Sequence, residues 1–304
     1  MCGIVGLFLK DPGLEPELGA LLSDMLVTMT DRGPDSAGIA VYGRPRPGRA
    51  KLTVRSADPE TDFDGFDRAL VARIRGSVAL AVKDSHAVIE VDDERLGAAR
   101  EALRGLRPGL KVMSAGEGIE IYKEVGLPRD VAARFGIGRM GGTHGIGHTR
   151  MATESAVTTM GAHPFSTGPD QCLVHNGSLS NHNAVRRRLR RAGIGFETEN
   201  DTEVAAAYLS HRMAEGAGLG EAMEGTLRDL DGFFTFVVGT RNGFAVVRDP
   251  IACKPAVMAE TDQYVAFGSE YRAMVGLPGI GAARVWEPEP ATVYFWERRA
   301  PAAP

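Results

Sequence analysis

Cysteine is scarce in this sequence. Cys2, Cys172 and Cys253 are the three among 304 residues, and no two are spaced as CxxC. That argues against a disulfide framework and against a cysteine zinc site. Long apolar runs are missing as well, with nothing near the roughly eighteen uninterrupted apolar residues of a membrane span. Neither charge sign dominates. A formal net charge of −4 gives no reason to expect a nucleic acid or a membrane surface as partner. The opening MCGIVGLFLKDPG has no basic stretch before its short apolar run and meets Asp11 and Pro12 soon after it. It makes a poor secretory signal, and a cytoplasmic location is the expectation. No internal repeat appears.

What is present suits a globular chain of one large domain or two modest ones. Residues 2–9 (CGIVGLFL) form a β-prone apolar run with Cys2 at its start. Leu18, Leu21, Leu22, Met25, Leu26 and Met29 then recur three and four apart, which predicts an amphipathic helix over 15–30. The turn-rich DRGPDSAG leads into a strand at 38–42, and RPRPGR (44–49) reads as a loop and subdomain boundary. Residues 51–125 read as a separate inserted piece: a strand at 51–55, a helix near 63–74, strands near 77–82 and 86–91, a helix at 93–105, and strands near 110–113 and 118–123. The βαββαβ order suggests a ferredoxin-like subdomain. From 142 onward, strands with tight turns are interrupted by helices near 180–192, 201–214 and 219–230. This mixture points to a layered α+β sandwich and away from a parallel βαβ series.

Position 2 is the most informative. A small residue there permits removal of Met1, leaving a cysteine whose own α-amine, with a pKa of about 8, can take the thiol proton. The thiolate then attacks a carboxamide, and water releases the acid from the acyl-enzyme. Taken alone, a cysteine at a strand start is more often a chance residue than a nucleophile. Residues 174–177 (VHNG) add an oxyanion-hole candidate, the Asn176 side chain with the Gly177 N–H. Read by itself, however, Asn-Gly favours a hairpin turn. Arg150 in GHTRMAT supplies a fork suited to a carboxylate. Asp201 in NDTE can pair with an ammonium group, or Asn200 or Asp201 can simply cap a helix.

Together, CGIVG (2–6), RGPDSAG (32–38), GHTRMAT (147–153), HPF (163–165), HNG (175–177), NDTE (200–203), RDP…KP (248–255) and GSE (268–270) resemble the class II glutamine amidotransferase family in family order. The resemblance covers 2–43 and 141–270. It implies the N-terminal-nucleophile hydrolase fold, a four-layer αββα sandwich over 2–304 with 51–125 inserted. It further implies Cys2 as nucleophile, Asn176 and Gly177 as oxyanion hole, Arg150, Thr153 and Asp201 as holders of the amino-acid end of glutamine, and Arg32 near the nucleophile. No cofactor or metal is implied. Met151 stands where the family usually has an aromatic residue, Glu154 where many members have histidine, and Ala252 where glycine is frequent, read here as a packing variation. The family usually continues into a domain that consumes the ammonia, so a separate synthase subunit is expected as partner. The length resembles amidotransferase subunits of glutamate-synthase-like assemblies, above all the small subunit of N-methylglutamate synthase. The insert is the expected partner interface.

Other signals are set aside. GIGRMG (136–141) fits GxGxxG but follows a helix-like stretch, so no dinucleotide site is read. RRRLRR (186–191) reads as a solvated helix face. His144, His148, His163 and His175 lack paired metal-ligand spacing. Cys172 and Cys253 read as core residues.

Overall fold

The computed structural model describes residues 2–152 and 156–298. Its centre is the strand Gly3–Leu9, buried along its whole length, which is why its sequence is an unbroken apolar run without alternation. It pairs antiparallel with Tyr264–Gly268 on one side and His144–Arg150 on the other. These belong to a seven-stranded sheet ordered Arg284–Trp286, Val257–Glu260, Tyr264–Gly268, Gly3–Leu9, His144–Arg150, Ser36–Tyr42 and Ile119–Val125. A four-stranded sheet, ordered Val293–Glu297, Gly243–Arg248, Gly232–Gly239 and Cys172–Leu179, packs against it.

Side-chain alternation separates the layers. Ile4 and Phe8 join Val174, Val237, Phe244 and Phe267 in the core between the sheets. Val5, Leu7 and Leu9 face the other way, onto the helix Leu18–Thr28. That helix buries Leu18, Leu22, Met25 and Leu26 at the predicted spacing. On the far face, Asp201–Ala214 and Leu219–Asp229 cover the smaller sheet through Val204, Leu209, Leu219, Phe234 and Phe236. The order is therefore helix, sheet, sheet, helix. Among the described residues no helix is long and apolar enough to cross a membrane.

The inserted piece has its own four-stranded antiparallel sheet, ordered Val78–Lys83, His86–Asp92, Arg49–Arg55 and Lys111–Gly116. Its helices Phe66–Ile74 and Leu96–Leu106 share a core of Leu52, Val54, Leu70, Ala99 and Leu103. This is the βαββαβ arrangement, with one correction at its end. The strand expected near 118–123, Ile119–Val125, pairs with Ser36–Tyr42 in the main sheet. Ile119 and Ile121 enter the inter-sheet core, so burial in the larger sheet wins over proximity in sequence. The helix expected over 63–74 is also split, because Gly65 sits at φ 60 ahead of Phe66.

Candidate active site

The central strand presents Cys2, half-buried, just before its first residue. The Gly3 N–H donates to Thr149 Oγ1 at 3.2 Å and the Ile4 N–H to Ser269 Oγ at 2.9 Å. The Ser269 N–H returns a bond to the Ile4 carbonyl at 2.9 Å. The Cys2 carbonyl accepts from Arg32 Nε at 3.1 Å and from Asn176 Nδ2 at 3.3 Å. Arg32 and Asn176, 144 positions apart in sequence, thus converge on the residue expected to react. Arg32 also donates to Glu270 at 2.6 Å, and Arg272 pairs with the other Glu270 oxygen at 2.6 Å. The Arg32 hydrogen bond, aided by the Arg272 charge, holds the Glu270 carboxyl below its ordinary range.

Asn176 and Gly177 do not make a hairpin. They lie inside Cys172–Leu179, paired with Thr235 and Phe234 of the neighbouring strand. Gly177 has φ 153, and a Cβ there would come within 1.9 Å of the Phe233 carbonyl. The glycine serves a close approach between strands, with no turn involved.

Arg150 and Asp201 line one cavity of about 400 Å³, together with Thr158, Gly161, His182 and Asn200. Asp201 opens its helix, but Asn200 is the cap, accepting from the Thr202 N–H at 2.8 Å. Asp201 is left to accept from the Leu179 N–H at 2.9 Å and to face His175 at 3.7 Å. Burial acts to raise its carboxyl, yet hydrogen bonding and charge from His175 and the Leu179 N–H prevail and hold it down at about 2. It is ionised wherever the protein is folded near neutrality. Among the described residues this lining does not include Cys2. The backbone joins the two groups: Asn176 and Leu179 share a strand, and Thr149 immediately precedes Arg150. Thr153, expected in the same clamp, and Glu154 lie outside the described residues.

Several supports were not singled out from sequence. Arg186, in the run read as a solvated face, is 2% exposed. It donates to the Thr198 and Asn200 carbonyls at 2.8 and 3.1 Å, fixing the segment that carries Asp201. Its place beside Val185 and Leu189, the apolar stripe of that helix, was the available signal. Asp35 accepts from the Ala152 N–H at 2.8 Å, tying RGPD to the end of GHTRMA. Thr202 joins His163 Nε2 at 2.8 Å and His175 Nδ1 at 3.1 Å, and the His148 and His163 rings stack at 4.0 Å.

Two further readings are corrected. Cys253 is exposed, whereas Cys172 is buried as expected. Burial pushes the Cys172 thiol up to about 12. Ala252 sits at φ 51, so glycine at this position would relieve backbone strain, and packing is not the issue. Among the described residues, no group of three or more His, Cys, Asp or Glu side chains is placed to hold a metal ion.

Residues 148–276 match the family described as "Glutamine amidotransferase domain". The chain is 68% identical over 299 residues to the Rhizobium meliloti "Glutamine amidotransferase-like protein GlxB", covering 98% of this chain and 99% of that one. It is 43% identical over 101 residues to a glutamine–fructose-6-phosphate aminotransferase of Xanthomonas campestris, covering 33% of this chain and 16% of the relative. Among solved structures, the glutamine phosphoribosylpyrophosphate amidotransferase of B. subtilis superposes with a TM-score of 0.62 at 18% identity. The alignment covers 97% of this chain and 47% of that enzyme, so the likeness is one of fold. That fold is the layered αββα sandwich expected from the motifs.

Proposed function

Because the chain belongs to the glutamine amidotransferase family, we propose that it is the glutaminase component of a larger synthase, with Cys2 as an N-terminal nucleophile. The observation that carries this reading is the convergence of Arg32 and Asn176 on Cys2. Loss of Met1 frees the α-amine, which takes the thiol proton. The thiolate adds to the glutamine carboxamide carbon, and the oxyanion forms toward Asn176 Nδ2 and the Gly177 N–H. Collapse expels ammonia with a proton returned by the amine, leaving a γ-glutamyl thioester. Water, deprotonated by the same amine, releases glutamate and the thiol. Arg150 holds the α-carboxylate of glutamine, Asp201 its ammonium, and Thr153 completes that clamp. Ammonia passes to a separate cytoplasmic synthase subunit of glutamate-synthase type, N-methylglutamate synthase being the case the sequence favours.

Two expected outcomes separate chemistry from binding. Asn176→Ala should lower kcat by about 10²- to 10³-fold, since it removes an oxyanion donor, with KM little changed. Asp201→Asn, or Arg150→Lys, should raise KM by about 10- to 100-fold, the value of a hydrogen bond to a charged group, with a smaller change in kcat. Steady-state ammonia release over a range of glutamine concentrations measures both. If Asp201→Asn lowers kcat alone, Asp201 does not belong to the clamp.

A further inference from the structure

A second cavity, of about 470 Å³, lies between the inserted piece and the catalytic framework. One wall is the helix Leu96–Leu106 with the strand Lys111–Gly116. The other is formed by Phe165–Gly168 and by the segment Ile194–Thr198. Its chemistry is cationic. Arg100 and Arg104 lie one helical turn apart and both line it. Among the described residues neither guanidinium has a hydrogen bond or ion pair. Lys123, 4% exposed, also lines it. Among the described residues its ammonium donates only to neutral carbonyls, of Ala162 at 2.7 Å, Pro164 at 3.1 Å and Met160 at 3.4 Å.

Two carboxylates border the cavity, and one of them is already committed. Glu203 accepts from the Glu197 and Thr198 N–H groups at 2.7 and 2.8 Å and from Thr198 Oγ1 at 2.6 Å. Glu197 is exposed. Among the described residues, none of the three cations has a carboxylate within ion-pairing distance. The Ser114 hydroxyl, on a lining residue that is 1% exposed, has no hydrogen-bond partner among them either. A buried hydroxyl without a partner is costly unless a ligand or water satisfies it. Val112, Met113, Ile194 and Phe196 add apolar surface. Cations without contact ion pairs, an unpaired hydroxyl and an apolar flank are the recognition elements of a small amphipathic anion.

We propose that this cavity binds a small organic anion, a carboxylate or phosphate ester with an apolar portion, and that its occupancy tunes the neighbouring cavity lined by Arg150 and Asp201. Met160 and Thr198 line both cavities. The wall segment 194–198 runs straight into Glu199, Asn200 and Asp201. An anion bridging Arg100 and Arg104 to that segment steadies the residues that carry Asp201. Burial pulls the Lys123 ammonium down to about 7, and a bound anion favours its charged form. The tuning rests on reading the 400 Å³ cavity as the glutamine pocket; the anion site does not.

The test is calorimetric titration of the full chain with inorganic phosphate, succinate, citrate and phenyl phosphate, each separately. At least one probe is expected to bind saturably, and the phosphate and carboxylate arms distinguish the two anion types. Arg100→Gln/Arg104→Gln should weaken that binding at least about tenfold, as should the single Arg104→Glu. Arg73→Gln, on the insert's other helix, should leave it unchanged. No saturable binding by any probe, or binding equal in both cavity variants and the wild type, overturns the site. Glutamine affinity is then measured with and without the bound probe in the Cys2→Ala protein. An equal, reciprocal change in the two affinities is expected. Independent affinities overturn the tuning and leave the site standing.

Discussion

Cys2→Ala is expected to lower glutamine hydrolysis by at least about 10⁴-fold, to the level of uncatalysed background. The magnitude follows from the absence of a substitute. Cys172 is buried, and its thiol, pushed up to about 12, is inert at neutral pH. Cys253 is accessible but lacks the adjacent α-amine that would serve Cys2 as base. Stabilising groups alone do not hydrolyse an amide quickly, so Asn176, Arg150 and Asp201 should still bind glutamine in this variant without turning it over. The exposed Cys253 shapes the companion measurement. Treatment with an electrophilic glutamine analogue, followed by intact mass, should give loss of Met1 and one adduct in the wild type. In Cys2→Ser that adduct should be absent, whereas a label on Cys253 would appear equally in both proteins. Hydrolysis that survives in Cys2→Ala would remove the N-terminal nucleophile from the mechanism.

What could be read from sequence was local pattern and motif order. The helix Leu18–Thr28 announced itself because Leu18, Leu22, Met25 and Leu26 all serve one packed face. Cys2, Arg32 and Asn176 lie in separate motifs, and their meeting at the Cys2 carbonyl is a product of the packing of the two sheets. Where the reading failed, tertiary packing had overridden a local signal. Asn176-Gly177 carries the strongest short hairpin signal, yet Gly177 is needed for its approach to Phe233. Arg186 sits among five other residues of a basic run and is the one turned inward to hold carbonyls. Ile119–Val125 follows the insert in sequence but completes the edge of the main sheet. Glycine's frequent place at 252 is explained by a φ of 51, which composition cannot reveal. Thr149, Ser269 and Glu270 fall within the quoted motifs, but only the fold assigns the first two to holding Gly3 and Ile4, next to Cys2, and the third to holding Arg32.

Stability should fall steeply between about pH 6.5 and about pH 4, before most carboxylates titrate. The cause is buried histidine. Burial holds His144 and His148 at about 3, and burial with the nearby Arg55, Lys123 and Arg134 charges does the same for His86. In the unfolded chain each has a pKa of about 6.5. These folded-state values are depressed, so below about 6.5 the unfolded chain takes up protons that the folded protein refuses. The stability is complete above about pH 6.5 and is lost progressively as pH falls toward about 3. At about pH 5 the loss is up to roughly 2 kcal/mol for each such histidine. Asp201 does not contribute in this window. Its depressed carboxyl adds stability that persists until pH drops below its unfolded value near 4. Lys123, lowered to about 7, acts at higher pH, between about 10.5 and 7. Urea unfolding at about pH 7 and about pH 5 should therefore show a large drop in midpoint. His86→Phe isolates one contributor. The ring sits 4.7 Å from Phe135 and 5.9 Å from Tyr122, so an aromatic replacement preserves the packing and removes the proton. Ser85 keeps a bond to Glu124 at 3.3 Å. This variant should lose up to about 2 kcal/mol less than the wild type between the two pH values. An identical loss in both proteins would mean that His86 takes up its proton while folded.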